Sequence, residues 1–387
     1  MSTVSALEAV CVNVSPKTNW TFIRVDADTG ERGWGECSLN RWEALLIAGA
    51  GMLRDDIVGK PVEQAFGALD AIAHSPGGMV IHAVKSAVEQ ALCDIQAQRE
   101  ELPVHAWLGR THRRSVAAYA NINRGITVRN PEGFAGAALA ALAMGYRSIK
   151  IAPFDGVISQ DARSTPIDER IRLGVKRIRA VRAAIGPDVP LMVDCHWRFD
   201  PERAAALLLA LRDVRPHWIE CPISEHPSLF ADIARLRAIA NGQGIALAGG
   251  EGIFVIEQAR AMCTAKLYDV LMPDIKYAGG YRGMLAIAEL CSEHGVQFSP
   301  HNPTGPIAHL ASVHLCAASP TLSWLEHQCA ETPLFDALAG GCVAPLVEGA
   351  FVVPDAPGLG AMLDEDLASS LPWRRLPASA VLDERLG

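Results

Sequence analysis

The sequence predicts an α/β protein: a closed parallel barrel of alternating strands and helices, preceded by a smaller α+β region. Three observations predict it. From about residue 116 onward, short apolar runs alternate with amphipathic helical stretches. Eight such runs occur, the number that closes a parallel barrel. No Gly-x-Gly-x-x-Gly follows the first of them, which disfavours an open dinucleotide-binding sheet.

The elements follow in order. "LEAVCVNV", "WTFIRVDA" and "RGWGECS" read as strands, with the turn "DADTGERG" between the last two. Helical patterns come next, the clearest at 79–100. The eight barrel strands are expected at 116–122, 148–152, 191–195, 217–221, 245–250, 270–274, 296–300 and 322–326. Between them lie helical stretches such as "ERAAALLLALRDV", "SLFADIARLRAIA" and "GMLAIAELCSEHG". No good closing helix follows the last strand; "ETPLFDALAGGCVAPLVEGAFVVPDAPGLG" is turn-rich, so the tail is expected to fold back on the N-terminal part.

The chain has 387 residues, 50% of them hydrophobic, which is ample for a large core. Its net charge of -8 argues against nucleic acid or an anionic membrane as the main partner. The one dense basic cluster, "GRTHRRS" (109–115), reads as a solvated linker. Ten cysteines show no Cys-x-x-Cys spacing, so a zinc knuckle is not supported. No apolar run reaches the ~20 residues of a membrane span, and the N-terminus lacks a signal-peptide pattern. A cytoplasmic protein with reduced thiols and a small-molecule ligand is the expectation.

Chemistry concentrates at the strand ends. The second strand carries Lys150, the third ends at Asp194 with His196 two residues on, and the fourth carries Glu220. The fifth ends at Gly249-Gly250-Glu251, the sixth at Asp274, the seventh at His301 and the eighth at Glu326. In a barrel all these ends open on one face. Three carboxylates on consecutive strands, Asp194, Glu220 and Glu251, suit a hard divalent cation such as Mg²⁺, which takes oxygen ligands. With no basic partner nearby they would repel one another. On an extended strand His196 points the same way as Asp194. Asp274 beside His301 can accept from one ring nitrogen and leave the other free as a base.

These residues resemble the enolase superfamily, specifically its mandelate racemase subgroup. "GWGEC" and "SAVEQALCDIQAQ" look like its capping domain; "GYRSIKI", "VDCH", "WIECP", "GGE", "MPDIKYAGGYRGM" and "FSPHNPTGPIAHLA" look like its barrel strand ends. The resemblance implies a modified TIM barrel, (β/α)₇β, with an α+β N-terminal capping domain completed by the C-terminal tail. The corresponding division is a cap at 1–115, a barrel at 116–350 and a return to the cap at 351–387. It implies Asp194, Glu220 and Glu251 as Mg²⁺ ligands, Asp274 and His301 as an acid/base dyad, and Glu326 as the acid facing the substrate carboxylate. Lys150 matches the first lysine of the family's Lys-x-Lys pair; the second is replaced by Ala152.

That replacement removes the best candidate base for a second substrate face. Asp194-x-His196 with "PHNPTGPIA" looks like the acid-sugar dehydratases of the galactonate type, where this histidine protonates the departing 3-hydroxyl. The implied reaction is a hydro-lyase one: loss of the proton α to a carboxylate, then elimination to a 2-keto-3-deoxy acid. Epimerases, racemases, lactone cycloisomerases and a non-catalytic member are the alternatives. Substrate contacts are expected from Asn19, Trp20, Arg41 and Trp42 of the cap, and from Trp197 and Arg198 after the third strand, with Asn40 and Asp155 as further candidates. The resemblance also implies a homo-oligomer.

Overall fold

The computed structural model describes residues 2–71, 78–109, 113–157 and 165–376. It opens on an antiparallel sheet of β1 (Val4–Ser15), β2 (Thr18–Ala27) and β3 (Arg32–Glu36), paired in that order. Four helices follow: α1 (Glu43–Ile57), α2 (Val62–Ala71), α3 (Gly78–Arg99) and α4 (Val104–Trp107). α3 is buried from His82 to Ala97 save at Lys85, because β2 and β3 cover one side and a barrel helix covers another. Its backbone rests directly on β3. A Cβ at Gly33 or Gly35 would lie 2.0 or 1.9 Å from the carbonyl oxygen of Ala91 or Ala87. Glycine at these alternate positions is what permits the approach.

The barrel consists of eight parallel strands: β4 (Ser115–Asn121), β5 (Ile149–Ile151), β6 (Leu191–Asp194), β7 (Trp218–Glu220), β8 (Ala246–Gly249), β9 (Val270–Leu271), β10 (Gln297–Phe298) and β11 (Leu325–Gln328). They pair in sequence order from β4 to β10, and β11 pairs back with β4. Between β10 and β11 two backbone bonds replace a regular ladder: Ser323 N to Phe298 O (2.8 Å) and Glu326 N to Pro300 O (3.4 Å). Strands β5, β6 and β7 are buried at every residue, as expected for a parallel sheet covered by helices outside and packed inside.

The outer helices are α5 (Pro131–Ala143), α6 (Thr165–Ile185), α7 (Pro201–Ala210), α8 (Phe230–Asn241), α9 (Ile256–Thr264), α10 (Gly280–His294) and α11 (Pro306–Ala318). α5 and α7 start where the sequence supplies a cap and a proline. Asn130 accepts from Gly133 N and Asp200 from Arg203 N, each at 2.8 Å, with Pro131 and Pro201 in the first turn.

Two local expectations shift. The last barrel strand, expected at 322–326, lies at Leu325–Gln328. Residues 322–324 are consumed in reaching the barrel, where Trp324 packs on His217 and Trp218 below β7. Glu326 is therefore inside its strand rather than at its end. The basic cluster at 109–115 lies partly outside the described residues; within them, Arg113 is bound to the carbonyls of Cys316 and Ser319 rather than solvated.

Among the described residues no long helix closes the barrel after β11. α12 (Leu334–Leu338) leads to a hairpin of β12 (Leu346–Val347) and β13 (Ala350–Val352), and β13 runs antiparallel to the first half of β4. The tail then reaches the N-terminal region: Val104 N donates to Gly358 O and Leu359 N to Asp94 Oδ1. Past α13 (Glu365–Ser369), Asn13 N donates to Leu371 O. Among the described residues no helix is long and apolar enough to cross a membrane.

Candidate active site

The register of β6 on β7 sets Asp194 directly beside Glu220. Glu251 joins them from the turn after β8, where Gly250 adopts φ 92, a conformation glycine takes without strain. Ligand oxygens of the three carboxylates lie within 4.8 Å of one another, and all three residues are buried. Burial and the neighbouring carboxylates push the Glu251 carboxyl well above its ordinary range. Burial also raises Glu220, against the pull of Lys150. Asp194 goes the other way: burial opposes its charge, but His196 and Lys150 outweigh that and hold it low.

The expectation that these carboxylates lack a basic partner is corrected. Lys150 Nζ lies 2.5 Å from Glu220 Oε1, 2.8 Å from Glu326 Oε1 and 3.8 Å from Asp194 Oδ2. One strand over, its side chain points into the barrel, and the adjacent carboxylates converge on it. Burial alone would lower Lys150, yet Glu220 and Glu326 dominate and keep it charged. One ammonium still leaves the four carboxylates in excess. Glu251 Oε1 is buried with no hydrogen-bond partner among the described residues. A buried, all-oxygen donor set with an orphaned carboxylate oxygen fits a hard divalent cation.

Asp274 and His301 meet as expected, with His301 Nδ1 2.9 Å from Asp274 Oδ2. The other ring nitrogen, Nε2, faces Glu251 Oε2 at 3.7 Å. Burial would raise Asp274, but Lys276 and His301 together hold its carboxyl below the ordinary range. Lys276 was not singled out from the sequence. Its Nζ lies 3.3 Å from Asp274 Oδ2, and its backbone N donates to Asp274 Oδ1 at 2.8 Å. Glu326 accepts from Asn121 Nδ2 (2.7 Å) and Asn302 N (3.2 Å) besides Lys150.

His196 reaches the pocket by a different route from the one expected. β6 stops at Asp194, and His196 and Trp197 both adopt left-handed backbone, φ 47 and 54. His196 therefore does not lie on an extended strand with Asp194. The turn instead folds His196 back on Asp194: its N donates to Oδ1 at 2.8 Å, and its Nε2 lies 2.7 Å from Oδ2. Two successive non-glycine residues in this region cost on the order of 1–3 kcal/mol each. The backbone bond from Trp197 N to Cys221 O (2.6 Å) helps hold them there.

A cavity of about 720 Å³ opens over these groups, between the barrel mouth and the cap. Asp194, Glu251, Lys150, His196, Lys276 and His301 line it, and so do Asn19, Trp20, Arg41, Trp42, Trp197 and Arg198. Their availability differs. The Asn19 amide is committed to Asn13, Glu43 and Arg374 O. Trp20 Nε1 is buried without a partner among the described residues. Trp42 is half exposed at the rim. Asp155 faces the cavity too, clamped by both nitrogens of a fork from Arg129 at 2.6 and 2.7 Å. Arg129 had no sequence signal beyond its charge.

Residues 7–109 match the N-terminal domain of the mandelate racemase / muconate lactonizing enzyme family, and residues 134–367 match the enolase C-terminal domain-like family. The chain belongs to the mandelate racemase/muconate lactonizing enzyme family of the enolase superfamily. Members of the enolase superfamily generally bind a divalent metal, and the buried Asp194–Glu220–Glu251 triad is where this member can hold one. Two curated relatives are dehydratases, that is, hydro-lyases. D-Galactonate dehydratase of Ralstonia nicotianae is 27% identical over 379 residues, 92% of this chain and 93% of the relative. D-Gluconate dehydratase of Thermoproteus tenax is 30% identical over 280 residues, 72% of this chain; the match spans about half, 54%, of that relative's length. The fold is shared with a mandelate racemase/muconate lactonizing enzyme-like protein from Roseovarius sp. TM1035, at a TM-score of 0.86 and 24% identity over 97% of this chain and 96% of that one.

Proposed function

We propose that this enolase-superfamily member is a Mg²⁺-dependent dehydratase of a sugar acid, an aldonate or aldarate. The observation that carries the reading is one cavity lined by Asp194, Glu251, Lys150, His196 and His301, with Glu220, Glu326 and Asp274 behind them in direct contact with Lys150 and His301. Relatives named galactonate and gluconate dehydratase support the choice of a hydro-lyase reaction.

The chain's own groups divide the work. His301 Nε2 takes the proton α to the carboxylate, with Nδ1 held by Asp274 so that one tautomer faces the cavity. Lys150 stabilises the carboxylate oxygens by its charge as negative charge moves onto them, and Glu326 holds the ammonium in place. His196, seated against Asp194, gives a ring proton to the departing 3-hydroxyl, which leaves as water. The resulting enol tautomerises to a 2-keto-3-deoxy acid. Mg²⁺ held by Asp194, Glu220 and Glu251 supplies the positive charge that makes the α proton acidic enough to remove. Trp20, Arg41, Trp42, Trp197 and Arg198 supply the walls that select the sugar. Ala152 lines the cavity where a second lysine base would serve racemisation, which favours elimination.

The test is a panel of aldonic and aldaric acids incubated with enzyme and Mg²⁺, read by semicarbazide detection of 2-keto acid. Formation of a 2-keto acid that stops with EDTA and resumes with Mg²⁺ is the expected result. A product that keeps every hydroxyl with inverted configuration would instead assign an epimerase, and a rearranged lactone would assign a cycloisomerase.

A further inference from the structure

Two barrel helices begin immediately after the two members of the dyad. α10 follows Asp274 by five residues of loop, and α11 follows His301 by four. Both helices have glycine at the N-cap, Gly279 and Gly305, so neither can satisfy its first amides with its own capping side chain. In both cases the missing carboxylate comes from the N-terminal region. Glu89 of α3 accepts from Tyr281 N (2.8 Å) and Arg282 N (3.1 Å). Glu36 of β3 accepts from Gly305 N (2.8 Å), Ala308 N (3.0 Å) and Thr304 Oγ1 (2.7 Å).

The seating is close. A Cβ at Gly280 would lie 2.0 Å from Glu89 Oε2, and one at Gly305 would lie 2.8 Å from Glu36 Oε2. Further bonds hold the same loops. Gly279 N donates to Ser86 Oγ at 2.9 Å, and Gln90 Nε2 reaches Ile275 O, one residue past Asp274, at 3.3 Å. Gln90 Oε1 in turn accepts from Glu36 N, which links the two carboxylates into one unit. Both glutamates are buried, so each carries a desolvation cost that these donors, with Ser38 Oγ on Glu36 and the Arg282 guanidinium on Glu89, offset. A carboxylate at a helix N-terminus is also favoured by the macrodipole.

We propose that Glu36 and Glu89 are positioning residues for the Asp274–His301 pair. The N-terminal region caps, from outside, the two helices whose starts fix the loops bearing the base and its partner. The inference rests on the reading of that pair as the proton-abstracting group. A dyad displaced by a fraction of an ångström loses alignment with the α proton while the metal ligands on β6 and β7 stay put.

The experiment uses the full-length protein with ¹⁵N-histidine labelling and the variants Glu36→Gln and Glu89→Gln. Glutamine keeps the shape but offers one acceptor oxygen and a repelling NH₂. The His301 ring resonances, assigned through a His301→Asn variant, are expected to shift in both variants, while the melting response to Mg²⁺ is retained. With a turned-over sugar acid, kcat is expected to fall between about 10- and 10²-fold with KM within about 2-fold. Ser86→Ala removes only the bond to Gly279 and serves if a glutamine variant does not fold; the same direction is expected. Ring signals identical to wild type in the folded variants would overturn the inference. The NMR arm needs no substrate, so a failed sugar-acid panel overturns the functional reading without silencing this test.

Discussion

Lys150 Nζ lies 2.8 Å from Glu326 Oε1, and both side chains are closed to solvent. The pair sits on the two strands flanking β4, so the ammonium and the carboxylate it neutralises meet across that strand. Lys150→Met should strand Glu326 and Glu220 as buried charges. Breaking such a pair costs about 3–5 kcal/mol, measurable by urea unfolding at pH 7. The kcat on the sugar acid should fall by about 10²–10³-fold, as when one electrostatic donor is removed from a transition state.

His301→Asn removes the nitrogen that faces the cavity. Exchange of the substrate α proton with D₂O, followed by NMR, should drop below detection, consistent with the ~10²–10⁴-fold contribution of a general base. His196→Asn should instead keep α-proton exchange and lose elimination. Exchange that persists in the His301 variant would remove it as the base.

Cation binding should be visible without catalysis. A ligand at 100 times its Kd stabilises the folded state by about 2.7 kcal/mol, so Mg²⁺ should raise the melting temperature and EDTA should reverse it. Glu251→Gln removes one carboxylate of the triad and should abolish the rise. A rise of the same size in that variant would place the cation elsewhere.

Acid should weaken the fold through His314. Its Nδ1 accepts from His105 N at 3.3 Å and its Nε2 bonds Leu359 O at 3.1 Å, so the ring is fully used while neutral. Burial, with a smaller push from His105, holds its pKa down to about 3, against the bond to Leu359. A folded pKa below the unfolded value gives stability that is present above about pH 6.5 and is lost as pH falls towards 3. His314→Gln should be less stable than wild type at pH 7 and should show a shallower loss of stability between pH 6.5 and 4, read by denaturant midpoints.

The strand-end chemistry was legible because each polar residue terminates or interrupts an apolar run, and parallel register then brings Asp194 beside Glu220 with no further information. The Asp274–His301 contact follows from the same logic on β9 and β10. What stayed hidden depends on backbone turns and on distant partners. The left-handed turn at His196 and Trp197 has no glycine to announce it. Lys150 was visible as a strand lysine, but not its place between Glu220 and Glu326, since strand spacing gives no side-chain reach. Glu36 and Glu89 read as ordinary residues of a strand and a helix; the amides they cap belong to helix starts 269 and 192 residues further along the chain.

The hairpin after β11 has a consequence for the order of assembly on the ribosome. β4 is among the first barrel segments to emerge, yet Ser115 to Ala117 pair only with β13 and its remaining residues with β11 and β5. At synthesis rates of roughly 5–20 residues per second, its partners on one side arrive on the order of tens of seconds later. Until then a bare parallel-strand edge waits beside the exit tunnel. Chaperone engagement with nascent chains stalled before β11, and its release once β13 has cleared the tunnel, would be the cellular signature of that delay.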